Sequence, residues 1–163
     1  MTSMEDTSAA MAIREQVFSR ELGREHEGRP DESDQMAVYA LVMNEADEPA
    51  GSGRLYIDGD SHFAIDRVCV LKEQRGQGLG DLIMRMLLYR AQELSCDSVY
   101  VESPVELTGF FARYGLTPQG GLRDGLRVMR ASHDEIDIEG SCSKGKKCAG
   151  CTESCEHCEK KEN

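Results

Sequence analysis

"RVCVLKEQRGQGLGDLIMR", residues 67–85, reads as a strand, a glycine-rich turn and a helix. The apolar run at Val68–Leu71 suits a buried strand. The residues after the turn are amphipathic: Leu79, Leu82, Ile83, Met86, Leu87, Ala91 and Leu94 recur at three- and four-residue steps. Gly76, Gly78 and Gly80 therefore stand where the chain enters a helix. Backbone amides there point outward with partial positive charge, and they bind phosphate when no side chain holds it away. Glycine permits that approach and also a positive φ. Lys72 and Arg75 add positive charge beside the turn.

Two nucleotide patterns fail at named positions. A P-loop needs Lys and then Ser or Thr after its last glycine, but Gly80 is followed by Asp81 and Leu82. A dinucleotide loop needs G-x-G-x-x-G, and from either Gly76 or Gly78 the third glycine is missing. What remains is R-x-x-G-x-G at Arg75, Gly78 and Gly80.

Outward from the turn, residues 8–22 have the spacing of a helix, with Ile13, Val17 and Phe18 near one face and Gly23 as its stop. Residues 23–34 read as a polar loop. Strands are expected at 35–44 and 52–58, paired as an antiparallel hairpin, and one or two buried strands at 62–71. Downstream come a strand at 97–103, a short helix ending at Gly115, and a last strand at 125–131. This order predicts an α+β (mixed α/β) sheet and not a regular βαβ repeat.

The chain has 163 residues, 39% hydrophobic and 30% charged, with formal net charge −11. That suits one soluble domain with an appendage. No stretch nears the roughly 18 apolar residues of a membrane span. No basic start followed by an apolar run opens the chain, so the expected location is cytoplasmic. From Gly140 onward five Lys face four Glu, leaving 14 basic against 26 acidic residues elsewhere. Such a surface repels nucleic acid and anionic membrane and attracts a cationic partner such as an amine.

The strand, turn and helix resemble the acetyl-CoA motif of the GNAT N-acetyltransferases, and the likeness runs over about residues 10–131. "VESPVELTGFFARYGLTPQG", residues 101–120, is similar to that family's later strand and short helix with F-Y-x-K-x-G-F. The resemblance implies a central, mostly antiparallel sheet with helices on both faces, spanning 1–131. It implies acetyl-CoA as co-substrate and a small-molecule or peptide amine as acceptor, in a monomer or homodimer. Pantetheine would pair with the backbone of Val68, Cys69 and Val70. The pyrophosphate would lie on the amides of Arg75, Gly76, Gln77, Gly78, Leu79 and Gly80. A backbone N–H near Val70 would polarise the acetyl carbonyl, and the amine would attack it directly. Cys69 alternates within an apolar strand without a flanking His, so it reads as a small buried residue and not as a nucleophile.

Amine attack needs a base for the ammonium, and an acid can protonate the departing thiolate. In the family the acid is often the Tyr of F-Y-x-K-x-G-F. On "GFFARYG" that position is Phe111, which has no hydroxyl; Tyr114 lies about one helical turn away and is the candidate acid. Asp66 before the pantetheine strand, Glu102 at the end of the next, and His62 are the candidate bases. Phe111 keeps a second reading open, a non-catalytic acyl-CoA-binding or sensing module.

After residue 131 the composition turns polar, a linker to 141 being expected. Cys142, Cys148, Cys151, Cys155 and Cys158 then crowd the last 22 residues. Two C-x-x-C pairs make good metal claws, with zinc, copper(I) or an iron–sulfur cluster as candidates. On one straight helix the first and last of the four closest cysteines would lie about 15 Å apart, too far to share one ion. A third reading therefore makes this tail the working end of a metal-handling protein.

Overall fold

A computed structural model describes residues 4–59 and 61–139; the cysteines expected to hold metal lie outside them. Six strands form one sheet in the order β1-β2-β3-β4-β6-β5. They are β1 (Val38–Met43), β2 (Pro49–Ile57), β3 (His62–Val70), β4 (Ser98–Pro104), β5 (Thr117–Arg123) and β6 (Leu126–Ser132). Every pair is antiparallel except β3–β4. Four helices accompany it: α1 (Met4–Arg14), α2 (Glu25–Gly28), α3 (Leu79–Glu93) and α4 (Thr108–Ala112). Among the described residues no helix is long and apolar enough to cross a membrane.

Residue parity shows that both faces of the sheet are covered. Ala40, Val42, Leu55, Phe63 and Ile65 join the main core with Ile83, Met84, Leu87 and Leu88 of α3. The alternate residues Leu41 and Cys69 pack instead with Ile13, Val17 and Phe18 of the first helix. Along β3 the parity reverses: Phe63 and Ile65 face α3, but so do Val68 and Val70. The cause is a bulge. Arg54 pairs with Asp66 and Ser52 with Cys69, which leaves one extra residue on β3, and Arg67 there takes φ +51°. One strand with a central bulge accounts for the expectation of one or two strands at 62–71.

The first helix does not stay α-helical. After Arg14 it widens into a π-helical segment at Glu15–Glu21, then stops at Gly23 with φ +68°, as its sequence predicts. On α3 the buried face is Ile83, Met84, Leu87, Leu88 and Ala91, whereas Leu82, Met86 and Leu94 of the expected stripe are exposed. The two stripes overlap at 83, 87 and 91, so spacing alone could not fix the rotation. Sequence patterning misses β5 because all its residues are exposed and it carries one proline and two glycines, as an edge strand can. Residues 135–137, within the stretch expected to be linker, pack against the sheet domain. Ile136 is buried, the Asp137 amide donates to the Tyr114 carbonyl at 2.9 Å, and a Cβ on Gly115 would lie 2.0 Å from the Glu135 carbonyl oxygen.

Two buried arginines tie the first helix and the following loop to β2. Arg14 donates to Asp34 at 2.9 Å, and Arg54 donates to Asp31 at 2.6 Å and to Asp34 at 2.7 Å. The Tyr39 hydroxyl also donates to Asp34. Burial works to raise the Asp34 carboxyl, but the bonds from Tyr39, the Asp31 amide and Arg54 outweigh it and hold the group down to about 2. A carboxyl lower in the folded chain than in the unfolded one adds stability above the unfolded value of 3.8, and that stability is lost as pH falls toward the folded value. The contribution is roughly 2 kcal/mol at neutral pH. Asp34→Asn is therefore expected to be less stable than the wild-type chain in urea at pH 7, with the gap narrowing between about pH 4 and pH 2. A gap that is flat with pH would contradict this.

Candidate active site

The cleft arises where β3 and β4 part. Their parallel pairing covers only His62–Ala64 against Ser98–Tyr100. From Ile65 onward the edge of β3 that faces β4 has no strand partner among the described residues, so its N–H and C=O groups face an opening of about 1080 Å³. Val68, Cys69 and Val70 lie on one wall, with Tyr100, Glu102 and Pro104 on the other. An unpaired strand edge inside a cleft is suited to an extended ligand that carries amides, which can add to it as another strand would.

The cleft runs into the glycine turn, where Arg75, Gly76, Gly78, Leu79 and Gly80 line it. Gly76 and Gly78 have φ of +81° and +77°, values that make glycine the natural residue at both positions. No side chain caps α3, and its first bond runs from the Leu82 amide to the Gly78 carbonyl at 3.1 Å. The amides ahead of it are open to an anion. A Cβ on Gly80 would meet only the Phe110 ring, at 3.9 Å. Nothing in the packing of the protein itself demands glycine there.

Arg75 presents its backbone to the turn, but its side chain turns away. Its guanidinium binds both oxygens of Glu21 at 2.7 and 2.8 Å, and its Nε donates to the Val70 carbonyl at 3.0 Å. This bridge fastens the end of the first helix to the strand that lines the cleft. Hydrogen bonding by Arg75 in turn holds the Glu21 carboxyl below its ordinary range.

Cys69 is buried as its sequence predicts, and burial pushes its thiol up to about 12. Burial thereby disfavours the thiolate, which is the nucleophilic form.

The three catalytic candidates separate. Glu102 is exposed and lines the cleft. Asp66 lines it too, but both its oxygens accept from Arg54, from Nε and from an amino group, each at 2.7 Å. With both oxygens engaged by the buried guanidinium, Asp66 is oriented toward Arg54 and serves the structure of the wall. Tyr114 is fully buried, its hydroxyl donates to Asp81, and it is absent from the cleft lining. Burial, reinforced by that carboxylate, raises its hydroxyl well above an ordinary phenol, so the geometry corrects the expectation of an acid there. His62 lies at the opposite end of β3, with its Nδ1 2.8 Å from the Ser98 hydroxyl.

The phenols that do line the cleft are Tyr56 and Tyr100. Neither stood out in the sequence. Parity would have found Tyr100, because it lies two residues from Glu102 on the same strand and so shares its face. The position expected to carry a family tyrosine is Phe111, and its ring lines the cleft without a hydroxyl.

Comparison with known proteins fits this geometry. Residues 8–115 match the model of the acetyltransferase (GNAT) family. The chain is 30% identical over 135 residues to the Bacillus subtilis protein YyaT, covering 77% of this chain and 87% of that one. It is 27% identical over 111 residues to the B. subtilis protein described as the uncharacterized N-acetyltransferase YjcF, covering 68% and 78%. Among solved structures, an acyl-CoA N-acyltransferase from Pseudomonas aeruginosa superposes with a TM-score of 0.67 at 23% identity, covering 79% of this chain and 90% of that one. At that identity the likeness is one of fold.

Proposed function

The chain belongs to the acetyltransferase (GNAT) family, and from that premise we propose that it moves acetyl from acetyl-CoA to an amine by direct attack. The observation that carries this reading is the continuity of the site: an unpaired strand edge leads straight into uncapped helix amides flanked by glycine. Pantetheine amides match the first part, and a pyrophosphate matches the second.

In this reading pantetheine lies along Val68–Val70, and the pyrophosphate rests on the amides of Arg75–Gly80. The thioester carbonyl accepts from a backbone N–H of the free β3 edge, which stabilises the oxygen as it gains charge. Glu102 receives the substrate ammonium and, directly or through water, takes its proton. The amine lone pair attacks the carbonyl carbon, the C–N bond forms, and the C–S bond breaks. Coenzyme A departs as a thiolate, a fair leaving group, and takes a proton from solvent.

The test is coenzyme A release from acetyl-CoA with a panel of amines. Amine-dependent release is expected. Acetyl-CoA that binds without any amine-dependent release would leave the non-catalytic acyl-CoA module as the reading, which Phe111 favours.

The cysteine run at 142–158 makes a second, separable proposal, a thiolate metal site. Metal analysis of the full chain and of a chain ending at Glu139 is expected to show metal only in the full chain. Equal metal content in both would refute the tail site.

A further inference from the structure

Acid exceeds base in this chain, and its arginines are generally neutralised. Every arginine from Arg14 to Arg113 forms an ion pair with a carboxylate. Among the described residues Arg123, Arg127 and Arg130 form none, and all three lie on the β5–β6 hairpin. Arg127 has the parity of the buried Met129 and donates to the Gly120 carbonyl at 3.5 Å. Arg123 and Arg130 instead line a pocket of about 320 Å³.

That pocket is lined by both signs of charge. Arg123 and Arg130, with Gln119, come from the β5–β6 hairpin, while Tyr100 and Glu102 come from β4 and Asp58 follows β2. The parts are oriented: the Tyr100 hydroxyl donates to Asp58, and the Arg130 guanidinium lies over the Tyr100 ring, 5.9 Å from its centroid. Tyr100 and Glu102 also line the cleft where the strands part, so pocket and cleft share one wall. The first helix lies across β1, β2 and β3, which leaves this face of β4, β6 and β5 accessible.

We propose that the pocket holds a carboxylate of the acceptor, making the preferred substrate a small amine that carries a carboxylate at its far end. This rests on the acyltransferase reading above. The amine lies at the shared wall beside Glu102, facing the thioester. The carboxylate reaches Arg123 and Arg130, which form no ion pair among the described residues. A guanidinium pair aimed at this space attracts an anion and repels a second ammonium, so selectivity against diamines comes from repulsion as well as from attraction. The overall negative charge would by itself favour a polycation; the hairpin reverses that preference locally.

The test is a ladder of amino carboxylates, from glycine through β-alanine and γ-aminobutyrate to 5-aminovalerate, each against its own amide and against a diamine of matched length. At one or more lengths the carboxylate is expected to exceed its amide by about 10-fold in kcat/KM, mainly through KM. In an R123Q/R130Q double variant that ratio is expected to fall to near one. Equal rates for acid and amide at every length, a preference for diamines, or a ratio that survives in the double variant would each overturn the proposal. Calorimetric titration of the same compounds into protein loaded with coenzyme A provides an independent reading. Carboxylate-dependent binding that is lost in the variant supports the pocket, and binding that is equal in both overturns it. If acetyl-CoA binds but no amine is turned over, the acyltransferase reading fails by itself and calorimetry alone decides the pocket.

Discussion

Replacing Gly80 with leucine is expected to weaken acetyl-CoA binding by about 100-fold or more while leaving the fold intact. The two halves of that expectation come from the same site. Gly80 lies in the first turn of α3, where backbone amides have no capping side chain and open into the cleft. A bulky side chain there would hold a pyrophosphate away from those amides, and each charge-assisted bond lost costs roughly 1.5–3 kcal/mol. The protein itself has room, since a Cβ would touch only the Phe110 ring. In a helix, leucine is also favoured over glycine by about 1 kcal/mol. Calorimetric titration with acetyl-CoA beside a thermal melt separates the two effects. Unchanged affinity in a folded variant would show that the pyrophosphate lies elsewhere.

Arg54→Ala is expected to destabilise the protein by about 3–5 kcal/mol, enough to unfold a large fraction of a marginally stable domain. Arg54 is 1% exposed and binds three carboxylates, those of Asp31, Asp34 and Asp66. Burial opposes its charge, but the bonds it donates to Asp66 and Asp31 outweigh this and raise its pKa further. Removing the guanidinium leaves these acids facing one another without a shared counter-charge, with Arg14 beside Asp34 as a partial remedy. Arg54→Lys is expected to recover only part of the loss, because one ammonium cannot hold both oxygens of Asp66 while also reaching Asp31 and Asp34. Urea unfolding of the three proteins measures this. A loss below about 1 kcal/mol for Arg54→Ala would mean that the network adds no net stability.

Local chemistry was legible in the sequence, and long-range pairing was not. The strand, glycine turn and helix at 67–93 could be read because glycine positions and apolar spacing act over a few residues. The failure of both nucleotide patterns was decided by Asp81, Leu82 and Ile83. The bulge at Arg67 left no such signal, although it fixes which residues of β3 face α3 and which face the first helix. Asp66 looked like a free carboxylate because its partner, Arg54, is brought opposite it only by the β2–β3 register. Tyr114 looked like a substitute for the missing hydroxyl at Phe111, but one helical turn carried it into the core, onto Asp81. The arginines of the β5–β6 hairpin stand out only when every other arginine is seen to have its carboxylate.

A quenched single turnover tests direct transfer at this site. Protein loaded with labelled acetyl-CoA is mixed with an accepted amine, stopped in acid and divided into protein and small molecules. The label is expected to pass from coenzyme A to the amine with none on the chain at any time, as the proposed direct transfer requires and the burial of the Cys69 thiol favours. Label on the protein at intermediate times, or label that stays on bound acetyl-CoA whatever amine is added, would contradict it.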